Sequence, residues 1–186
     1  CLAISPKMKA QGVKNRCRMS DIPGHIKYIV AKPQMKKYIE YAADIYDVYL
    51  DYIAPEDIHV YSIDEAFLDV TNYLRKYRKT PIEFAKFLLN EVATRKHIPA
   101  TAGIGTNLYL CKIAMDIMAK KMKPDKNGVR IAKLDEMTYR RELWDHRPIT
   151  DFWRVGRGTA RRLESRGVYT MGDLARLSLD GEDTLY

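Results

Sequence analysis

Val60-Tyr-Ser-Ile-Asp64-Glu65-Ala-Phe-Leu-Asp-Val-Thr71 sets two adjacent carboxylates between two short apolar runs of strand character. Consecutive strand residues project to opposite faces, so Asp64 and Glu65 can share one ion only where the backbone turns or bulges. A hairpin with its tip at the acidic pair meets that condition, which predicts strands over 58–63 and 66–70. Ile63, Ala66, Phe67, Leu68 and Val70 read as buried core, and carboxylates set in such a run are costly without a counter-charge. A divalent cation supplies one. Hard oxygen ligands hold Mg²⁺, with water and phosphate oxygens completing its octahedron, and phosphoryl or nucleotidyl transfer is the chemistry that needs such a site. An Asp-Glu pair alone is more often a solvated turn; the apolar frame favours the metal.

Working outward, Pro33 opens a helix in which Met35, Tyr38, Ile39, Ala42, Ile45, Tyr46, Tyr49 and Ile53 recur at helical spacing, a core stripe. Pro55-Glu-Asp57 breaks it before the hairpin. Upstream, Cys1 to Ser5 reads as the end of a strand, Lys7 to Arg18 as a basic turn or short helix about Gly12, and Lys27 to Ala31 as a strand. A chain that opens inside a strand, without an initiator methionine, is expected to have been cut from something longer. Downstream, Thr80-Pro81-Ile-Glu83 is a capping box that launches a helix through Phe84, Leu88, Val92 and Ala93 to Lys96-His97. Ala100 to Gly105 reads as a strand, Thr106 or Asn107 caps a helix over 108–122, Val129 to Ala132 is a strand, and a helix begins at Asp135. The order βαββαβα predicts an α+β fold of ferredoxin-like type, a mixed or antiparallel sheet backed by two helices.

The chain has 186 residues, 46% of them hydrophobic, enough for one larger domain and a small appendage. It contains neither an apolar run of about eighteen residues nor a charged-then-apolar leader, so no membrane span or signal peptide is indicated and a cytoplasmic protein is expected. Cys1, Cys17 and Cys111 lack metal-ligand spacing and leave one thiol over in any disulfide scheme, which suits a reducing compartment. The net charge is +8, and the cations crowd into Lys7 to Arg18, Arg75 to Lys79, Lys120 to Lys126 and Arg154 to Arg166. Separate basic patches favour a polyanionic partner, although a basic balance alone is often only solubility. From Pro148 onward the pattern becomes short helices joined by glycine turns. Val155-Gly156-Arg157-Gly158 and the residues to Leu174 resemble a helix-hairpin-helix, whose glycines let backbone N–H groups approach a DNA phosphate at a helix start.

Tyr61-Ser-Ile-Asp-Glu-Ala-Phe-Leu-Asp-Val70, then Gly103-Ile-Gly-Thr-Asn-Leu-Tyr-Leu-Cys-Lys112-Ile-Ala-Met-Asp116, then Lys123-Pro-Asp-Lys-Asn-Gly128, in this order, resemble the Y-family DNA polymerases. These are the translesion enzymes of the DinB, UmuC and MucB/ImpB type. The resemblance implies a fingers segment over 1–33, a palm over 34–146 and a partial thumb with the helix-hairpin-helix over 147–186. It implies template-directed synthesis across damaged bases in the intact parent, with two Mg²⁺ ions, primer-template DNA and dNTP. A sliding clamp would be met through a region past Tyr186. By the resemblance Asp64 bridges both ions and Glu65 ligates the one that activates the primer 3′-hydroxyl. The family's third carboxylate and its aromatic steric gate are expected upstream of Cys1, so the chain is not expected to catalyse alone. Lys9 stands where the family commonly has a triphosphate-gripping arginine, and Pro6 where it has tyrosine. Lys120 or Lys123 supplies the later triphosphate lysine, with Lys120 favoured, because an insertion blurs the alignment there. Gly156, Arg157, Gly158, Arg161 and Lys112 are expected at DNA; Arg157 departs from the apolar residue usual between the two glycines. Asp69 reads as a strand-end residue, and His59 and His97 as surface. The alternatives are a non-catalytic repair module that binds primer-template DNA, and another palm-fold enzyme such as a nucleotidyl cyclase, against which the helix-hairpin-helix argues.

Overall fold

Ser5 and Pro6 start the first helix. The Ser5 hydroxyl accepts the Met8 amide at 3.3 Å and proline occupies the first turn, giving α1 (Pro6–Ala10). The structure, a computed structural model, describes residues 1–181 and 183. It divides into two units, Cys1–Met35 and Lys36–Tyr186. In the first, the chain turns after α1 through Gly12, whose φ of +83° favours glycine. Val13, Ile22 and Ile26 form a small core with Ile4, Met8 and Cys17. The strands expected over 1–5 and 27–31 are coil. Ile29 is 95% exposed and Val30 68%, and β-branched residues form a strand only when a partner ladder covers them.

In the second unit, α2 (Met35–Leu50) buries only the C-terminal part of its expected stripe. Val48 is buried, Ala42, Ile45, Tyr46 and Tyr49 are half-buried, and Met35, Tyr38 and Ile39 are exposed. Strand β1 (Ile58–Ser62) pairs antiparallel with β2 (Glu65–Leu68). The register Ser62↔Glu65 leaves Ile63 and Asp64 as a two-residue turn, and Val60↔Ala66 leaves Tyr61 as an extra residue, a bulge. Ile63 and Ala66 are exposed rather than core: one lies in the turn, the other pairs with the exposed Val60 on an open face of the hairpin. After α3 (Tyr73–Tyr77), helix α4 (Pro81–Lys96) begins with the expected Thr80/Glu83 capping box and ends on His97 in the left-handed region. Its Phe84 and Leu88 close a core with Ile53 and Ile58.

Strand β3 (Thr101–Gly105) pairs parallel with β4 (Arg130–Leu134). Asn107 caps α5 (Leu108–Ile113), which continues as a π-helical turn over Ala114–Met118 and a 3₁₀ turn over Ala119–Lys121. A Cβ on Gly103 would lie 2.0 Å from the Cys111 carbonyl oxygen, and one on Gly105 2.3 Å from the Cys111 nitrogen. The glycines therefore let α5 press onto β3. Then come α6 (Glu136–Leu143), capped by Asp135, α7 (Arg157–Glu164) and α8 (Met171–Asp180). One core joins Leu110, Ile113, Leu134, Leu143, Phe152 and Ala160, running across position 147. The fold is α+β as expected, with the strands in two two-stranded sheets, β1-β2 and β3-β4, in place of one sheet. The first strand of the expected order is the exposed coil over 27–31. The end of the 147–186 segment, residues 182 and 184–186, lies outside the described residues. Among the described residues no helix is long and apolar enough to cross a membrane.

Candidate active site

The two-residue turn presents Asp64 at the hairpin tip, exposed, with its Oδ1 accepting the Ser62 hydroxyl at 2.9 Å. Glu65, the first residue of β2, is half-buried, and both its oxygens accept from the Lys112 ammonium, at 2.8 and 2.7 Å. Lys112 is carried by α5 and is 6% exposed. Its Nζ also lies 3.0 Å from Asp116 Oδ2, while Lys120 Nζ holds Asp116 Oδ1 at 2.5 Å. The bulge residue Tyr61 lies beside this chain of charges, its ring centroid 5.8 Å from Lys112 Nζ and its hydroxyl accepting from Trp153 Nε1 at 3.1 Å. Tyr61, Phe67 and Trp153 pack edge to face or tilted around it.

These contacts fix protonation. Burial lowers the Lys112 pKa, but hydrogen bonds to Glu65 and Asp116 outweigh it and hold the ammonium above the ordinary lysine range. Burial raises Asp116, and the hydrogen bonds from Lys120 and Lys112 outweigh that, keeping its carboxylate below the usual range. A deep lysine between two carboxylates thus stays charged and satisfied, and no buried side-chain polar atom among the described residues lacks a partner.

Asp64 and Glu65 offer hard anionic oxygens, the donor chemistry Mg²⁺ takes. Among the described residues no group of three or more Asp, Glu, His or Cys side chains gathers to hold a metal. The pair fits Mg²⁺ in kind, and any ion there draws its remaining ligands from water, phosphate or further donors.

The other expected residues are distributed as follows. Lys112, expected at DNA, is 6% exposed and its ammonium is engaged by Glu65 and Asp116. Lys120 is half-exposed on the 3₁₀ turn, paired to Asp116, and Lys123 is exposed just beyond. Lys9 is exposed on α1, in the first unit. Gly156 is the N-cap of α7 and Gly158 lies in its first turn; a Cβ at either would meet nothing within 4 Å. Among the described residues nothing packs on either glycine, and the first turn has no side-chain cap. Arg157 and Arg161 are exposed on the same helix. Asp69 is exposed, its Oδ1 accepting the Thr71 amide at 3.0 Å. His59 is exposed on β1. Sequence reading missed Asp116, Tyr61 and Trp153 as members of the constellation. The Lys112, Asp116, Lys120 spacing of four is a visible ion-pair signal on a helix, whereas the Trp153 contact spans 92 positions and leaves no local signal.

Residues 1–116 match the impB/mucB/samB family model. Over 183 residues the chain is 33% identical to DNA polymerase IV 2 of Bacillus subtilis (strain 168), covering 96% of this chain and 42% of that protein. Over 180 residues it is 31% identical to the putative UV-damage repair protein UvrX of the same organism, covering 96% and 41%. Among solved structures, an insertion ternary complex of Dbh DNA polymerase is similar with a TM-score of 0.71 at 25% identity, over 97% of this chain and 52% of that one. DinB from Sulfolobus solfataricus gives a TM-score of 0.63 at 27% identity, over 85% and 45%. The chain spans about two fifths of the length of these curated relatives. With the acidic hairpin and the Lys112 to Asp116 helix both inside the matched residues, the chain belongs to the impB/mucB/samB family, the Y-family DNA polymerases.

Proposed function

We propose that this chain is the catalytic-site portion of a translesion DNA polymerase. The observation that carries the reading is the carboxylate pair Asp64-Glu65 at a bulged hairpin tip, in a chain of this family. Asp64 and Glu65 would hold Mg²⁺, and the bound metal supplies charge stabilisation of the attacking and leaving oxygens. The chain's own residues orient that site: the turn sets Asp64 outward, and Lys112 holds both Glu65 oxygens in place. Lys9, and either Lys120 or Lys123, would meet the dNTP triphosphate. The open first turn of α7, with Arg157 and Arg161, suits a phosphate of primer-template DNA. The division into fingers (1–33), palm (34–146) and thumb (147–186), a cytoplasmic location and a clamp contact belong to the same proposal. Substitution D64A in the whole protein abolishes Mg²⁺-dependent primer extension; extension at the parental rate removes Asp64 from the reaction.

One observation favours a second reading, a repair module that binds DNA without synthesis: both Glu65 oxygens are already taken by Lys112. Titration with Mn²⁺ separates the two, since a binding-only module gives no ion binding that E65Q removes.

A further inference from the structure

The Lys112 ammonium donates to Glu65 Oε1 and Oε2 at 2.8 and 2.7 Å and is ion-paired with Asp116 Oδ2 at 3.0 Å. The remaining Asp116 oxygen takes Lys120. From the hairpin to the surface the charges therefore alternate as Glu65, Lys112, Asp116, Lys120. Each inner member is shared by two partners, so a stronger claim on one end loosens the hold at the other. A divalent ion at Glu65 and the Lys112 ammonium compete for the same two oxygens. Asp116 divides itself between a buried lysine and one whose side chain is 53% exposed. The π-helical turn Ala114–Met118 carries Asp116 between those two lysines, and such turns occur frequently at functional sites.

We propose that Lys112 is a positioning residue that stands in for a divalent cation at Glu65, and that when a cation arrives Asp116 takes Lys112 over and slackens its hold on Lys120. This rests on reading Glu65 as a metal ligand, and it adds that cation binding at the hairpin and the availability of Lys120 to a phosphate anion are linked. No bond is made or broken covalently; one ammonium moves from two carboxylate oxygens toward a third.

Two measurements on the whole chain, without nucleotide or DNA, test the inference. In the first, free Mn²⁺ is followed by electron paramagnetic resonance. K112M removes the competitor and binds Mn²⁺ at least about threefold tighter, while D116N leaves Lys112 to Glu65 alone and binds at least about threefold weaker. In the second, Mg²⁺ is titrated while the lysine ¹³Cε–¹⁵Nζ correlations are recorded. The parent shifts at both Lys112 and Lys120; D116N shifts at Lys112 only, whereas a plain through-space field would still move Lys120. Should K112M fail to fold, D116N alone decides both measurements. Mn²⁺ affinities within about twofold of the parent in D116N, or a Lys120 shift that survives D116N, overturn the inference. E65Q tells the two levels apart. Mn²⁺ binding untouched by E65Q overturns the metal site itself, while binding lost in E65Q with unresponsive D116N overturns only the linkage.

Discussion

Replacing Gly103 by alanine tests the packing that brings Lys112 to the hairpin. The added Cβ would stand 2.0 Å from the Cys111 carbonyl oxygen, 2.4 Å from the Met115 nitrogen and 2.9 Å from the Met115 Cβ. A carbon and a carbonyl oxygen rest at about 3.3 Å or more, so α5 must retreat from β3 by about 1.3 Å. The two nearest atoms are backbone, and no rotamer change relieves them. Overpacking of this kind costs about 1–3 kcal/mol where side chains can yield; with backbone against backbone, at least about 3 kcal/mol is expected. Lys112 lies between Cys111 and Met115 in sequence, so its bonds to Glu65 stretch with the same displacement. Urea denaturation of G103A measures the first effect, and the lysine ¹⁵Nζ signal of Lys112 the second. A G103A protein within about 0.5 kcal/mol of the parent, the range of an unremarkable surface change, refutes the claim that this glycine sets the helix-strand distance.

Gly158 gives the opposite result, because its Cβ would meet nothing. G158A leaves stability unchanged or raises it by up to about 1 kcal/mol in thermal denaturation, yet weakens DNA binding by fluorescence anisotropy, as the methyl obstructs a phosphate at the first turn of α7. R161A lowers affinity for all DNA sequences alike and reduces the slope of log K against log salt by about 0.9. Stability also falls in acid through two helix caps. Asp135 is held below the usual carboxylate range by the Thr138 amide, and Asp173 by Arg176 and Thr170 against a burial effect of opposite sign. A depressed folded value means that the stabilisation is complete above the unfolded value, about 3.9, and is lost as pH falls through the folded ones. D135N/D173N keeps capping oxygens but cannot titrate, so its urea midpoint declines less steeply than the parent's below about pH 4.

The elements easiest to read were those whose signals are local. Thr80 and Glu83 cap α4 reciprocally, with the Glu83 carboxylate accepting the Thr80 amide at 2.8 Å, and a capping box needs only four consecutive residues. The acidic hairpin was legible because two apolar runs flank a pair that must turn. Exposure within it was not, since alternation says which residues share a face and not whether that face is covered, as Ala66 and Val60 illustrate. The same limit undid the strand over 27–31, whose residues have strand propensity but no partner ladder. The ion pairing of Lys112 was hidden for a related reason. A lysine in a basic chain suggests phosphate, and only the tertiary approach of α5 to β2 reveals that its charge is already answered by Glu65.

That answered charge determines how the acidic pair can work. With Lys112 bonded to both of its oxygens, the Glu65 carboxylate is fixed in direction before any ion is bound. The lysine in turn is held by Asp116, and its backbone by glycines 103 and 105, which leave no slack between helix and strand. Preorganisation of this kind places the strain of assembling like charges in the fold rather than in the binding step. The consequence is asymmetric. Loss of Asp64, whose carboxylate meets only the Ser62 hydroxyl among the described residues, should leave the fold standing, while loss of Glu65 strands a buried ammonium beside a single carboxylate and should cost stability as well as ion binding.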